Sequence, residues 1–332
     1  MTSTPPSART APFEEHGGWS DVSAGVGAPP PLPAGSEGQE AQRRRNRIPA
    51  PLFCLAAMVT VQLGIALSTP LFPQLGVAGT TLLRLVTAST VLLLATRPRL
   101  RGRSAHDLGA AALLGLASAG MTLTFAGAVA RIPMGTAATI EFLGPLAVAL
   151  GFSRRLGHVL WALLAAAGVA LLTLVGGGGP GSGHDHVSAA GLAFAFGAAV
   201  CLALYILLTQ RVGSAFSGFE GLALSLTVAA VVLVPFGAAQ AWHGVTTSAH
   251  PWVPLLSAAG VAMLFPVAPY LLEMTALRRL PQRVFSVIAS LEPAVSALVG
   301  LAVLGQVLSL VQLAGIACVV AASAGATFFD NR

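Results

Sequence analysis

Long apolar stretches make up most of this chain, and its basic residues fall between them. Each stretch is close to the ~20 residues that a helix needs to cross ~30 Å of hydrocarbon. Ten can be drawn, over 49–69, 79–96, 108–128, 133–152, 157–175, 189–209, 220–239, 254–275, 282–303 and 308–328. The pattern predicts an all-α, polytopic membrane protein with about ten transmembrane helices in a lipid bilayer.

The arginines predict how these helices are oriented. The chain has no lysine, so all 18 of its Lys and Arg residues are arginines. If the first helix begins in the cytoplasm, every arginine except Arg84 and Arg131 lies in the N-terminal tail, at the C-terminus or in a cytoplasmic loop. The positive-inside rule then predicts a multi-pass protein of the plasma or inner membrane with both termini in the cytoplasm.

The composition narrows the class of protein. With 55% hydrophobic and only 9% charged residues, the chain is too apolar for a water-soluble globular protein of 332 residues. The formal charge of +6 is spread over short loops and does not form one basic patch. Nucleic acid is therefore not expected as a partner.

An internal repeat is visible in the positions of the prolines. Pro133 and Pro281 are 148 positions apart, and so are Pro145 and Pro293. Five predicted helices separate the two copies, and an odd number inverts the second copy relative to the membrane. Inverted repeats place the substrate near the midplane, where equivalent helices are often interrupted.

The repeat predicts the domain organisation. A first five-helix repeat covers 49–178, an extracytoplasmic linker 179–188, and a second repeat 189–329. Residues 1–48 have a different composition, rich in Pro, Gly, Ser and Glu, and are expected to form a disordered cytoplasmic tail.

Pro145 and Pro293 are predicted to break their helices. A proline inside a helix leaves the carbonyl four residues earlier without its usual hydrogen bond, which here frees the carbonyls of Glu141 and Ala289. Glu292 follows Ala289 within one turn, so each half has a carboxylate beside an opened backbone. Acids at this depth usually serve a transport pathway. The alternative is that neighbouring helices satisfy both glutamates, which then only hold the bundle together.

Short blocks of sequence resemble a known family. The blocks are Leu71-Phe72-Pro73, Leu83-Arg84-Leu85, Glu141-Phe142, Gly144–Leu150, Ser153-Arg154-Arg155, Tyr205–Leu207, Gln210-Arg211, Pro269-Tyr270, Leu272-Glu273-Met274, Ala276-Leu277, Arg279-Leu280-Pro281, Arg283, Glu292-Pro293-Ala294, Gln312-Leu313 and Ala321-Ala322-Ser323. Together they resemble the drug/metabolite transporter superfamily with two EamA repeats, and within it the bacterial exporters of threonine and homoserine. The resemblance covers roughly 49–327. In one departure, Gln306 stands where relatives usually carry glutamate, so an acid is absent there.

The resemblance implies proton-driven efflux of small amino acids by alternating access, so a small-molecule substrate and protons are the expected partners. An amino acid needs an anion for its ammonium group, which Glu141 and Glu292 offer, and donors for its carboxylate, which Arg84 offers. Arg84 alternatively forms a gate or an ion pair with an acid at a helix end. Glu273 is either a proton relay or an interfacial side chain.

Weaker candidates and other classes of function stay open. Gln62, Tyr205 and Gln210 either contact substrate or bond between helices. A different small metabolite or a drug, a passive channel, and a homodimer are not excluded by the sequence. A membrane enzyme lacks support, because the four aspartates lie outside the predicted spans and no His-Glu-x-x-His is present.

No catalytic residue, metal or cofactor is predicted. The linker contains His184-Asp185-His186, but three residues on a connecting loop are more often a solvated connector than a metal site.

Overall fold

The computed structural model of the chain describes residues 50–98, 103–151, 157–172, 188–216, 219–277 and 282–329. The predicted tail at 1–48 lies outside the described residues, as do 179–187 of the linker with His184-Asp185-His186. The same holds for Arg154, Arg155, Arg278 and Arg279.

The described residues are helical, with short connections. Their α-helices are α1 Ala50–Ser68, α2 Phe72–Leu75, α3 Val77–Thr96, α4 Ala105–Val129, α5 Met134–Glu141, α6 Leu143–Gly151, α7 Gly157–Ala170, α8 Ala189–Ala215, α9 Glu220–Thr246, α10 Trp252–Ala262, α11 Ala268–Leu277, α12 Gln282–Ala289, α13 Glu292–Leu304 and α14 Leu310–Phe329. A 3-10 turn, Thr69–Leu71, joins α1 to α2, and a π-helical turn, Met263–Val267, joins α10 to α11.

These helices account for the ten predicted spans. Seven segments of the described chain are long and apolar enough to cross a membrane, and Met134–Val148, Leu160–Ala170 and Leu310–Gly325 are shorter apolar helical segments. Each of these segments overlaps one predicted stretch. The prediction of an all-α polytopic membrane protein is therefore confirmed.

Within the described residues, three of the ten spans are interrupted near their middle. The fourth is split into α5 and α6 at Phe142, and the ninth into α12 and α13 at Ser290 and Leu291. The eighth is split by the π-helical turn, where Phe265 has non-helical backbone angles (φ −154°, ψ 113°) before Pro266. The break in the eighth span was not predicted, because mean hydropathy over a window does not register a local change in backbone geometry.

The boundaries also differ from the prediction in places. The seventh span, predicted over 220–239, continues as α9 to Thr246. The first, predicted to end at 69, extends through the 3-10 turn and α2 to Leu75. Gly76 ends it with φ 70°, a left-handed conformation that glycine adopts without strain.

The helices pack in pairs that reflect the repeat. The third span packs on the sixth (α4 on α8), and the first packs on the eighth (α1 on α11). Spans whose numbers differ by five are equivalent in the two halves, so the third corresponds to the eighth and the sixth to the first. The two pairs are therefore the same contact, made once by each half. Pairs α3 with α9, α5 with α13 and α7 with α14 join equivalent spans of the two halves. Such pairing is what two equivalent five-helix halves produce.

The contact between α3 and α9 depends on glycine. A Cβ added at Gly237 would lie 2.4 Å from the carbonyl oxygen of Ala78, and one at Gly79 would lie 2.7 Å from the backbone nitrogen of Ala241. The two backbones therefore touch directly, and buried leucines including Leu85 and Leu233 fill the space beside them. In lipid, where there is little hydrophobic drive between helices, such close approach supplies much of the attraction.

The outer surface of the bundle is apolar. Leu310 is 84% exposed, Trp242 74% and Leu94 69%. A soluble monomer rarely exposes so many large apolar side chains, whereas a bilayer solvates them. Many hydroxyls inside the bundle bond within their own helices, as Thr122 does to the carbonyl of Ser118 at 2.7 Å and Thr139 to that of Gly135 at 2.6 Å.

Gly237→Ala should destabilise the protein, because the new Cβ would overlap the Ala78 carbonyl and force α3 and α9 apart. Overpacking of this kind costs about 1–3 kcal/mol. Gly109→Ala is the matched control, since Gly109 is exposed and nothing lies within 4 Å of an added Cβ. Thermal unfolding of the purified variants in detergent measures both effects, and an equal midpoint for the two would contradict this account of the packing.

Candidate functional site

A cavity of about 210 Å³ lies among the interrupted spans. Its walls come from α1 to α5, α8, α11, α13 and the π-helical turn. Among the predicted side chains, Glu141, Glu292, Arg84, Glu273, Gln62 and Tyr205 line it. The fold thus brings together residues that are up to 230 positions apart in the chain, such as Gln62 and Glu292.

Glu141 and Glu292 lie at the two equivalent helix breaks. Glu141 is the last residue of α5, and Glu292 is the first residue of α13. The helix before Glu292, α12, ends at Ala289, so Glu141 and Ala289 end their helices at equivalent positions. Pro145 and Pro293 follow within α6 and α13 and do not line the cavity. Glu292 stands in the first turn of α13, where the helix dipole favours a negative charge.

Arg84 presents an unpaired guanidinium to the cavity. Its side chain is 3% exposed, and Nη1 donates a hydrogen bond of 3.3 Å to Ser68 Oγ. The guanidinium carbon lies 4.7 Å from the centre of the Phe265 ring, and Nε has no hydrogen-bond partner. No carboxylate of the described residues lies within ion-pair distance of it. Among the described residues, Arg84 forms no ion pair with an acid at a helix end.

Gln62 extends the polar wall beside Glu292. Its side-chain nitrogen Nε2 donates to Glu292 Oε1 at 3.4 Å, and the residue is 1% exposed. The other end of the amide, Oε1, is buried without a partner. A buried acceptor left unbonded costs about 1–3 kcal/mol, so this oxygen is ready to accept a hydrogen bond from a solute.

The charges that line the cavity are unequal. Three carboxylates, Glu141, Glu273 and Glu292, face it with a single guanidinium, Arg84. Uncompensated charge is costly inside a membrane. The cavity is therefore suited to a solute that carries a positive group, a negative group, or both.

Tyr205 bonds to a residue that sequence reasoning had not selected. Its hydroxyl lies 2.6 Å from that of Tyr270, on α11. Tyr270 and Pro269 also line the cavity, as do Phe265 and Pro266 of the π-helical turn. Pro266 and Pro269 within a single predicted span were the available signal for this distorted wall.

Two polar residues singled out in the sequence lie elsewhere. Gln210 is exposed on α8 and is not among the lining residues. Gln306 lies after α13, and its Oε1 accepts a hydrogen bond of 2.9 Å from the backbone N–H of Met134, the first residue of α5. Gln306 thus caps a helix in the other half of the molecule, a task that needs only an acceptor.

Comparison with known proteins assigns the family. The EamA-like transporter family matches residues 189–328. The chain is 38% identical over 286 residues to the threonine/homoserine exporter RhtA of Salmonella typhimurium (strain SL1344), covering 85% of this chain and 92% of that protein. The chain belongs to the EamA-like transporter family. The transporter is also 38% identical over 281 residues to the threonine/homoserine exporter RhtA of Escherichia coli (strain K12), over 83% and 90% of the two chains.

A solved crystal structure shares the fold. It superposes on the transporter with a TM-score of 0.55 at 20% identity, over 85% of this chain and 98% of the other. The sequence relatives are named as exporters and not as enzymes. The transporter is thus a multi-pass membrane protein that acts on a small-molecule substrate, as the resemblance in its sequence implied.

Gln306→Glu should keep the stability of the transporter, because a carboxylate oxygen can accept the same bond from Met134. Gln306→Leu removes the acceptor, and we expect a loss of about 1–3 kcal/mol. Thermal unfolding in detergent compares the two with wild type. If the Leu and Glu variants unfold together, the cap contributes nothing to stability.

Proposed function

We propose that this transporter exports small amino acids, threonine and homoserine above all, coupled to protons, by alternating access. The observation that carries the proposal is the buried Arg84 guanidinium, which faces Glu141 and Glu292 in one cavity without a carboxylate partner. The identity to exporters of these two amino acids supports the choice of substrate.

The size of the cavity favours a small solute. At about 210 Å³ it is below the ~300–1,000 Å³ of pockets that take drug-sized ligands. A drug would need the walls to separate, whereas an amino acid of a few heavy atoms fits the space between them. This argues against a drug as the main substrate.

The polar groups match a zwitterion at both ends. Arg84 has donors left over after its bond to Ser68, and a guanidinium binds a carboxylate through two parallel hydrogen bonds. Glu141 and Glu292 provide anionic partners for the ammonium group. Gln62 Oε1 adds a neutral acceptor on the same wall as Glu292. Both charges of the amino acid then find a counter-charge.

The excess of carboxylates supports proton coupling. After a bound amino acid satisfies Arg84 with its carboxylate and one glutamate with its ammonium group, two acids in the cavity still lack a cation. Binding a proton is the simplest way to neutralise each of these carboxylates. In our proposal a glutamate releases its proton when the ammonium group binds and takes one up when the solute leaves.

The orientation of the transporter in the membrane is inferred from the positions of its arginines. We infer that both termini are cytoplasmic, and that the halves at 49–178 and 189–329 move against each other about the cavity. The exchange of helix pairs between the halves supports two equivalent moving bodies. Under this orientation, the C-terminal end of α8 and the start of α9 lie on the cytoplasmic side.

Cells that express the transporter should release preloaded radiolabelled threonine and homoserine faster than cells with an empty vector. A proton uncoupler should remove most of the difference, because the gradient drives the export. Valine is the matched control, since it has the shape of threonine without the hydroxyl.

Equal efflux from both kinds of cell, with the protein shown to be in the membrane, would refute the choice of substrate. Faster efflux that the uncoupler does not change would support the choice of substrate but refute the coupling to protons.

Mutations should separate the recognition of the carboxylate of the amino acid from the recognition of its ammonium group. Arg84→Gln should weaken binding of threonine to the purified protein by more than about tenfold, the loss expected for a charge-assisted pair. It should weaken binding of threonine amide, which lacks the carboxylate, far less. Glu292→Gln should abolish the uncoupler-sensitive efflux while the protein stays folded.

Asp107→Asn is the control for these variants, because it removes a carboxylate near the start of α4, outside the cavity. If Arg84→Gln affected threonine and its amide equally, Arg84 would not bind the carboxylate. Normal coupled efflux by Glu292→Gln would exclude Glu292 from the mechanism.

A further inference from the structure

The transporter contains two tyrosines in its 332 residues, and they bond to each other. Tyr205 lies on α8 in the second half of its length, and Tyr270 lies on α11 just after the π-helical turn. Their hydroxyl oxygens are 2.6 Å apart. The bond therefore closes the gap between the sixth and eighth spans.

A second cavity of about 110 Å³ lies behind this pair. It is lined mainly by apolar groups such as Leu114, Val212, Phe216 and Phe219. Of the described residues, Tyr205 and Tyr270 are the two that belong to the walls of both cavities. The tyrosine pair is thus the partition between them.

The position of the second cavity indicates which side of the membrane the tyrosine pair faces. Its walls include the last turns of α8 and the first residues of α9, together with Leu114 from the first half of α4. With the termini in the cytoplasm, these three helix ends share the cytoplasmic side. The second cavity then lies between the amino-acid site and the cytoplasm.

We propose that Tyr205 and Tyr270 form the inner gate of the central cavity, and that the second cavity is the passage through which the amino acid arrives from the cytoplasm. The proposal rests on the proposed function for the direction of transport. The pair that separates the two spaces is the observation that carries it.

The physical properties of the pair suit a gate. One hydroxyl pair contributes only a small net free energy, so it can break and re-form in each cycle. Protein interiors are normally close-packed, but here each ring borders an open space into which it can turn. A buried hydroxyl without a partner is unfavourable, which returns the pair to the closed state once the solute has passed.

Contacts of Arg103 lie beside the passage. Arg103 donates from Nη2 to Glu220 Oε2 at 2.8 Å and from Nη1 to the carbonyl of Ala215 at 2.8 Å. Its guanidinium carbon lies 4.9 Å from the centre of the Phe216 ring, which lines the passage. These contacts tie the segment before α4 to the last residue of α8 and the first residue of α9.

Thiol labelling tests the gate without the need for a known solute. Ala126 lines the central cavity but not the passage, so Ala126→Cys places a reporter thiol on the far side of the tyrosines. A membrane-impermeant maleimide is applied to inside-out and right-side-out vesicles. The signal is counted above that of the same chain without Ala126→Cys, which subtracts the native cysteines Cys54, Cys201 and Cys318.

Tyr205→Phe and Tyr270→Phe each remove the hydroxyl bond and keep the ring. Each should raise labelling from inside-out vesicles about two- to tenfold, the shift in population expected from one net hydrogen bond. The double variant should match either single one, because the same bond is lost. Thr227→Val is the matched control: it removes a hydroxyl on α9 that bonds to the Ala223 carbonyl and lines neither cavity, and labelling should not change.

Unchanged labelling in both single variants, or a rise confined to right-side-out vesicles, would overturn the inner gate. Additive effects in the double variant would also overturn it, because they would indicate a change in packing and not the loss of a shared bond. The two proposals can fail separately. A rise in labelling without threonine efflux would refute the substrate only, whereas normal efflux without a rise would refute the gate only.

Discussion

The buried cation of Arg84 determines the electrostatics at the centre of this protein. The Arg84 guanidinium is almost completely enclosed, yet Ser68 and the face of Phe265 are the only partners given to it by the described residues around it. An isolated charge in a low-dielectric bundle is tolerated only if something else neutralises it. The three carboxylates that line the same cavity form no ion pair with it, and the carboxylate of a bound amino acid would supply the missing counter-charge directly. The helices hold these charged groups in one cavity, and the described carboxylates stay beyond ion-pair distance of the guanidinium.

Interruptions of the helices make this separation possible. Glu141 ends one half-helix and Glu292 begins another, and Phe265 lies where the eighth span departs from helical geometry. A continuous helix would bury its backbone groups in its own hydrogen bonds, whereas a break exposes some of them to the cavity. Phe142, at the break in the fourth span, is 6% exposed, as a membrane requires of irregular backbone. Close contacts such as Gly237 against Ala78 keep the surrounding bundle rigid.

Much of this arrangement could be predicted from the sequence, because the constraints were local or periodic. The length of the apolar stretches predicted the helices, and the shared offset of the prolines predicted that Glu141 and Glu292 occupy related positions. The surroundings of Arg84 could not be predicted, since they depend on which side chains of α1 and the π-helical turn meet it. The turn itself is a tertiary feature that hydropathy averages out. Tyr270 was noticed only within a block of family resemblance, because nothing in the chain shows that a residue 65 positions away will meet Tyr205.

Because the chain has two tyrosines and both lie at the same bond, chemistry that acts on every tyrosine acts here at one place. Biosynthetic replacement of tyrosine by a fluorinated analogue would give a ¹⁹F spectrum with two resonances, both from the boundary between the cavities. No site-directed mutation would be required to assign the location. The opening and closing of the two rings could then be followed in the native sequence, in lipid, on the timescale of magnetic resonance.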